Sequence, residues 1–164
     1  MNSKAKSVTT GALIGAMYVA LCYLQNMLIP GSASWAIQFQ AAEALCVLAF
    51  FTPAAIPGLT VGCFLFNISF VGALPLDPLV GPVATLLAAV GMYLTRKLTI
   101  KGYPFVGMLM PAIFNAFLVG WELTVYIGEG FWLNALYVAI GEVAVLLTIG
   151  TALYYALKKT KLFR

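Results

Sequence analysis

Apolar residues run almost unbroken along this chain, and glycine and proline rather than charged loops punctuate them. Runs of about 20 apolar residues are long enough to cross a bilayer as helices. Six such spans can be drawn: about Val8 to Met27, Ile37 to Phe51, Ala54 to Val71, Asp77 to Leu94, Phe105 to Ile127 and Phe131 to Leu157. Pro30-Gly31-Ser32 ends the first, Thr52-Pro53 follows the second, and Gly72 to Leu76 turn after the third. Gly102 and Pro104 sit between the fourth and fifth, and Gly128-Glu129-Gly130 between the fifth and sixth. A membrane barrel would alternate polar and apolar at every second residue, and no segment does. There is no internal repeat. The pattern predicts an all-α integral membrane protein, a single domain over residues 1–164 with six transmembrane helices.

Charge orients the spans. Only 9% of the residues are charged and 63% are hydrophobic, against about 25% charged in a soluble domain. The nine cations are Lys4 and Lys6 before the first span, Arg96, Lys97 and Lys101 between the fourth and fifth, and Lys158, Lys159, Lys161 and Arg164 after the sixth. Six crossings put every one of them on a single side, which the positive-inside rule makes the cytoplasm, together with both termini. The run Val8–Ile29 exceeds the 7–15 residues of a signal-peptide core, so it is expected to be a retained helix. The cations flank spans and lack interleaved aromatics, which excludes nucleic acid as a partner.

Catalytic and metal chemistry find little support. The chain has no histidine, which removes the usual metal ligand and general base. Cys22, Cys46 and Cys63 are isolated inside apolar runs and read as small buried hydrophobes. No P-loop, G-x-S-x-G or H-E-x-x-H occurs. No enzyme activity, cofactor or metal is expected, and any use of ATP would need a partner.

The polar residues within the spans are the candidate chemistry. Gln38, Gln40 and Glu43 fall on the second span, Asn67 on the third, Asn115 and Glu122 on the fifth, Asn134 and Glu142 on the sixth, and Asp77 opens the fourth. All lie toward the ends away from the cations. Each buried carboxylate costs about 2.5–3.5 kcal/mol on insertion scales, so such groups face a cavity or a partner. Asn115 and Glu122, seven apart, share a helix face, and Gln40 and Glu43 are one turn apart. With Trp35 and Trp121 near the mouth and Tyr137 close by, these residues predict a pocket for a flat molecule rich in hydrogen-bond donors, uncharged or cationic. Asn67 and Gln38 read equally well as bridges between helices. Asp77, followed by Pro78, reads equally well as a helix cap. Glu129 between glycines reads as a solvated turn residue, and Trp35 and Trp132 also suit interfacial anchors.

Small residues form a further pattern. Gly11, Ala12, Gly15, Ala16 and Ala20 make a ridge on the first helix, and Gly58 and Gly62 a GxxxG on the third span. Such surfaces let helices approach closely, either within the molecule or against a partner.

Taken in order, the segments Ala12–Val19, Ile37–Leu45, Thr52–Leu59, Gly62-Cys63 with Asn67, Asp77 with Gly81 and Ala84–Leu86, Asn115-Ala116, Gly120–Leu123, Asn134–Val138 and Gly141-Glu142 resemble the queuosine-precursor transporter (QueT) family. These are substrate-binding S components of energy-coupling factor (ECF) transporters, and the resemblance covers nearly the whole chain. Gln40 departs from it, because the family usually has an arginine there. The resemblance implies a six-helix S component in the bacterial cytoplasmic membrane that binds its ligand near the outer side, mainly with the last three helices and outer loops. It implies a membrane coupling subunit and two cytoplasmic ATPases as partners, and Ala12, Gly15 and Ala16 as the docking stripe. It implies a 7-deazaguanine ligand, either queuine or its 7-cyano or 7-aminomethyl precursor. Gln40 keeps an S component for another vitamin or nucleobase open. A proton-coupled carrier acting alone and a helical scaffold are the readings outside this class.

Overall fold

A computed structural model describes residues 2–30 and 39–160 of the chain, with Ser3 described in its backbone only. Trp35 and Gln38 lie outside the described residues, as do Lys161 and Arg164. Among the described residues every regular element is a helix: α1 (Ser3–Leu28), a 3₁₀ helix (Ala41–Phe50), α2 (Ala55–Ser69), α3 (Asp77–Thr95), α4 (Phe105–Met108), α5 (Met110–Ile127), α6 (Phe131–Val145), a π turn (Leu146–Gly150) and α7 (Thr151–Lys159). α4 and α5 make one apolar length, Phe105–Ile127, interrupted only at Leu109, and α6, the π turn and α7 make another, Phe131–Lys159.

Among the described residues, four helices are long and apolar enough to cross a membrane by themselves, where six full spans were expected. The exceptions are the second and third, which are Ala41–Phe50 and Ala55–Ser69. The second is wound as a 3₁₀ helix of ten residues, far longer than the usual three or four. At about 2.0 Å per residue it reaches roughly 20 Å, against about 15 Å for an α-helix of the same length. A short segment thereby covers more depth. Its surroundings account for the unusual winding, since Ala42 to Ala49 are all buried, and α1, α2, α3, α6, α7 and the π turn all pack on it. Gln25 of α1 starts it, accepting from Ala41 N–H at 2.7 Å and donating to the Phe39 carbonyl.

Glycine sets the closest helix contacts. α1 crosses α2 with Gly11 and Gly15 against Gly58 and Gly62, and a Cβ on Gly15 would stand 2.8 Å from the Gly58 carbonyl oxygen. α5 meets α6 at Gly120, where a Cβ would stand 2.8 Å from Ala135 Cα. The small-residue ridge of α1 is therefore split: Gly11 and Gly15 are buried in the intramolecular crossing, while Ala12, Ala16 and Ala20 face outward. Gly15 is not on the outer face, which corrects its place in the expected docking stripe.

The two ends of the bundle differ. One end gathers the start of α1, the turn before α2, the Ile100–Tyr103 hairpin and the end of α7. Lys158 Nζ donates to the Gly102 carbonyl there at 3.1 Å. Lys101 and Gly102, with φ of 51° and 79°, turn the hairpin in the left-handed conformation that a two-residue turn of this kind requires. All the described Lys and Arg residues belong to this end. The opposite end holds the Gly72–Leu76 turn and the α5–α6 turn, where Gly128 (φ 81°) closes α5 by donating to the Thr124 carbonyl.

Candidate binding cavity

Each of four helices sends one stripe of residues to a common space at the end away from the cations. Tyr18, Cys22, Gln25 and Asn26 come from α1, and Cys63, Phe66, Asn67 and Phe70 from α2. Asp77, Gly81 and Thr85 come from α3, and Asn115, Val119 and Leu123 from α5. Every stripe follows the i, i+3, i+4 spacing of one helix face. The 3₁₀ helix adds Glu43, Gln40 precedes it, and the turn Gly72–Leu74 forms part of the wall. The cavity volume is about 120 Å³, several times the 10–15 Å³ or so that one water needs.

Glu43 is the most completely held acid. It is buried, and its Oε1 accepts from Tyr18 Oη at 2.6 Å and from Thr85 Oγ1 at 3.5 Å. Its Oε2 accepts from Cys46 Sγ at 3.1 Å. Asn115 is also buried and lines the cavity, and its amide donates to Glu142 Oε1 at 2.9 Å. Asp77 anchors the rim: its Oδ2 accepts from Leu74 N–H at 2.5 Å, and its backbone carbonyl accepts from Asn67 Nδ2 at 3.2 Å. Asn67 thus bridges helices and lines the cavity together.

Of the expected site residues, Gln40, Glu43, Asn67, Asp77 and Asn115 line this space. Glu122 and Glu142 are buried behind its wall, and each leaves carboxyl oxygen without a hydrogen-bond partner among the described residues. Glu142 reaches the cavity through Asn115. Asn134 is buried elsewhere, donating to Thr124 Oγ1 at 3.1 Å and the Glu129 carbonyl at 3.3 Å, which ties α6 to the end of α5. Trp121 (49% exposed) points outward, Trp132 is 75% exposed, and Tyr137 is half-buried outside the lining. The sequence reading put the ligand mainly on the last three helices. Here the lining comes mostly from the first four apolar segments, with α5 alone added from the rest.

Several lining residues carried no sequence signal as isolated types. Phe66 and Phe70 stack with centroids 5.0 Å apart and 18° between planes, and they supply the aromatic wall expected from tryptophan. Asn26 keeps one buried amide oxygen without a partner among the described residues. The stripe Tyr18-Cys22-Gln25-Asn26 was the available clue, being the polar face of an otherwise apolar helix.

The cavity lining includes two carboxyls, five amides, two hydroxyls and aromatic faces, and contains no Lys, Arg or His. That inventory accepts hydrogen bonds more readily than it balances an anion. No cluster of three or more His, Cys, Asp or Glu that would hold a metal occurs among the described residues. No curated protein and no solved structure matches the chain. The model of the QueT transporter family matches residues 8–159, nearly the whole chain, and this multi-pass membrane protein belongs to that family.

Proposed function

We propose that the protein is the substrate-binding S component of an ECF-type importer, and that its ligand is a 7-deazaguanine precursor of queuosine taken up from outside the cell. The observation that carries this reading is the cavity itself, a small acceptor-rich space with stacked Phe66 and Phe70 on its wall. A deazaguanine offers a flat ring and an edge of N–H and NH₂ donors, for which the carboxyl and amide oxygens of the lining are acceptors. Stacking on an aromatic side chain adds about 1–3 kcal/mol by analogy with nucleobases. The cavity lies at the end away from Lys4, Lys6, Arg96, Lys97, Lys101, Lys158 and Lys159, and the positive-inside rule makes that the outer side. The outward Ala12, Ala16 and Ala20 offer a smooth strip for a coupling subunit, which with two ATPases supplies the energy.

Calorimetric titration of the purified protein with queuine, its 7-cyano and 7-aminomethyl precursors, guanine and a set of vitamins tests the cargo. Tight binding of a deazaguanine and not of guanine is the expected result. A response to a vitamin alone keeps the S-component role and removes the cargo. Uptake into vesicles that lack any ATPase, driven by a pH gradient, overturns the S-component role in favour of a lone carrier.

A further inference from the structure

The three asparagines of the cavity lining, Asn26, Asn67 and Asn115, share one arrangement. Each commits its side-chain nitrogen to an acceptor of the protein. Asn26 Nδ2 donates to the Cys22 carbonyl at 3.0 Å, Asn67 Nδ2 to the Asp77 carbonyl at 3.2 Å, and Asn115 Nδ2 to Glu142 Oε1 at 2.9 Å. A backbone carbonyl only accepts, so at Asn26 and Asn67 a turned amide would set oxygen against oxygen. Gly81 on α3 leaves room for the Asn67 nitrogen, since a Cβ there would stand 2.5 Å from it. None of the three amide oxygens accepts a hydrogen bond among the described residues, and that of Asn26 is buried without one.

The neighbouring polar groups are engaged in the opposite sense. Glu43 accepts from Tyr18, Cys46 and Thr85, which fills three of the roughly four acceptor positions of a carboxylate. The same bonds occupy the hydroxyl protons of Tyr18 and Thr85. Gln25 uses both ends of its amide to hold the start of the 3₁₀ helix. An amide oxygen kept from water without a donor is costly, and a ligand N–H removes that cost. We infer that the amide oxygens of Asn26, Asn67 and Asn115 are the acceptors that read the ligand, and that Glu43 shapes the cavity without receiving the ligand's donor edge. Three oxygens of set orientation, from α1, α2 and α5, select a molecule carrying several N–H groups and reject one that offers acceptors in their place. This inference rests on the deazaguanine reading for its ligand, and it assigns the N–H and NH₂ edge to the asparagines.

7-Deazaguanine and 7-deazahypoxanthine share a ring system and differ by one exocyclic NH₂, so their comparison isolates donor reading. By calorimetry the wild-type protein should bind 7-deazaguanine at least about tenfold more tightly, equivalent to about 1.4 kcal/mol. Asn26→Leu, Asn67→Leu and Asn115→Leu should each weaken 7-deazaguanine binding more than 7-deazahypoxanthine binding and so shrink the ratio, whereas Glu43→Gln should leave the ratio as it is. Asn26→Leu breaks no hydrogen bond between helices, because the Cys22 carbonyl lies one turn back on α1, so a wild-type thermal midpoint is expected for it. Equal affinities in the wild type, a ratio that all three amide variants keep, or a ratio lost in Glu43→Gln overturns the assignment. If neither compound binds, the cargo reading fails on its own, and single-ring fragments decide the amides. Isocytosine carries the same N–H and NH₂ edge, and 4-pyrimidinone lacks the NH₂. At millimolar concentration isocytosine should then raise the thermal midpoint of the wild type above that in 4-pyrimidinone, and should not do so for Asn26→Leu. Midpoints that are equal in the two fragments, or an isocytosine response that survives in Asn26→Leu, overturn the assignment.

Discussion

The α1–α2 crossing lends itself to a quantitative test, because backbone rather than side chain limits it. A Cβ placed on Gly62 would stand 2.7 Å from the Gly15 carbonyl oxygen and 3.0 Å from both Gly15 Cα and Tyr18 Cβ. Ordinary C–H···O contacts lie at about 3.3–3.6 Å, so Gly62→Ala forces the helices apart by roughly 0.6–0.9 Å. Neither backbone atom can rotate away. Overpacking of this kind costs about 1–3 kcal/mol, and the better helix propensity of alanine returns about 0.5–1 kcal/mol. The net loss is about 0.5–2 kcal/mol, and at about 2–4 °C per kcal/mol for a chain of this size the midpoint falls by roughly 1–8 °C. The assay is thermal unfolding of the detergent-solubilised protein. Gly130→Ala serves as the control, since a Cβ there meets nothing within 4 Å and the residue has φ of −63°. Ligand affinity should fall with the midpoint, because the displaced helix carries Tyr18, whose hydroxyl holds Glu43. A Gly62→Ala midpoint equal to or above that of Gly130→Ala refutes the close crossing.

Tyr18→Phe removes the 2.6 Å donor to buried Glu43; it should lower stability by about 0.5–1.5 kcal/mol, the net range for a buried hydrogen bond, and an unchanged midpoint and dissociation constant would take Tyr18 out of the site. Ala16→Trp, on the outward face of α1, should leave ligand binding intact and abolish uptake in cells that hold the coupling subunit and ATPases, so retained uptake counts against that face as the dock. Asn67→Leu deletes the bridge to the Asp77 carbonyl; it should loosen the Gly72–Leu76 turn and weaken binding about tenfold, the equivalent of about 1.4 kcal/mol, as read by calorimetry.

The amino-acid sequence determined the class of the molecule. A chain that is 63% hydrophobic, with its cations confined to three places, leaves few alternatives to a helical membrane bundle, because backbone groups in lipid must be satisfied within each segment. Helix boundaries at Asp77, Phe105, Ile127 and Phe131 were legible from proline, glycine and the apolar run between them. The burial of Glu43, Glu122 and Glu142 was legible too, because a carboxylate inside an apolar run has no other place to go without a large cost. Tertiary structure decided what local pattern does not encode. It wound Ala41–Phe50 as a 3₁₀ helix, since only contacts on all sides stabilise so long a run of that form. It divided the α1 ridge between an internal glycine crossing and an outward alanine strip, because residues one position apart on a helix are 100° apart and meet different neighbours. It also separated the acids into those lining the cavity and those behind its wall. Helical phase places a residue on its own helix, but the side toward which that helix turns depends on its rotation against four others.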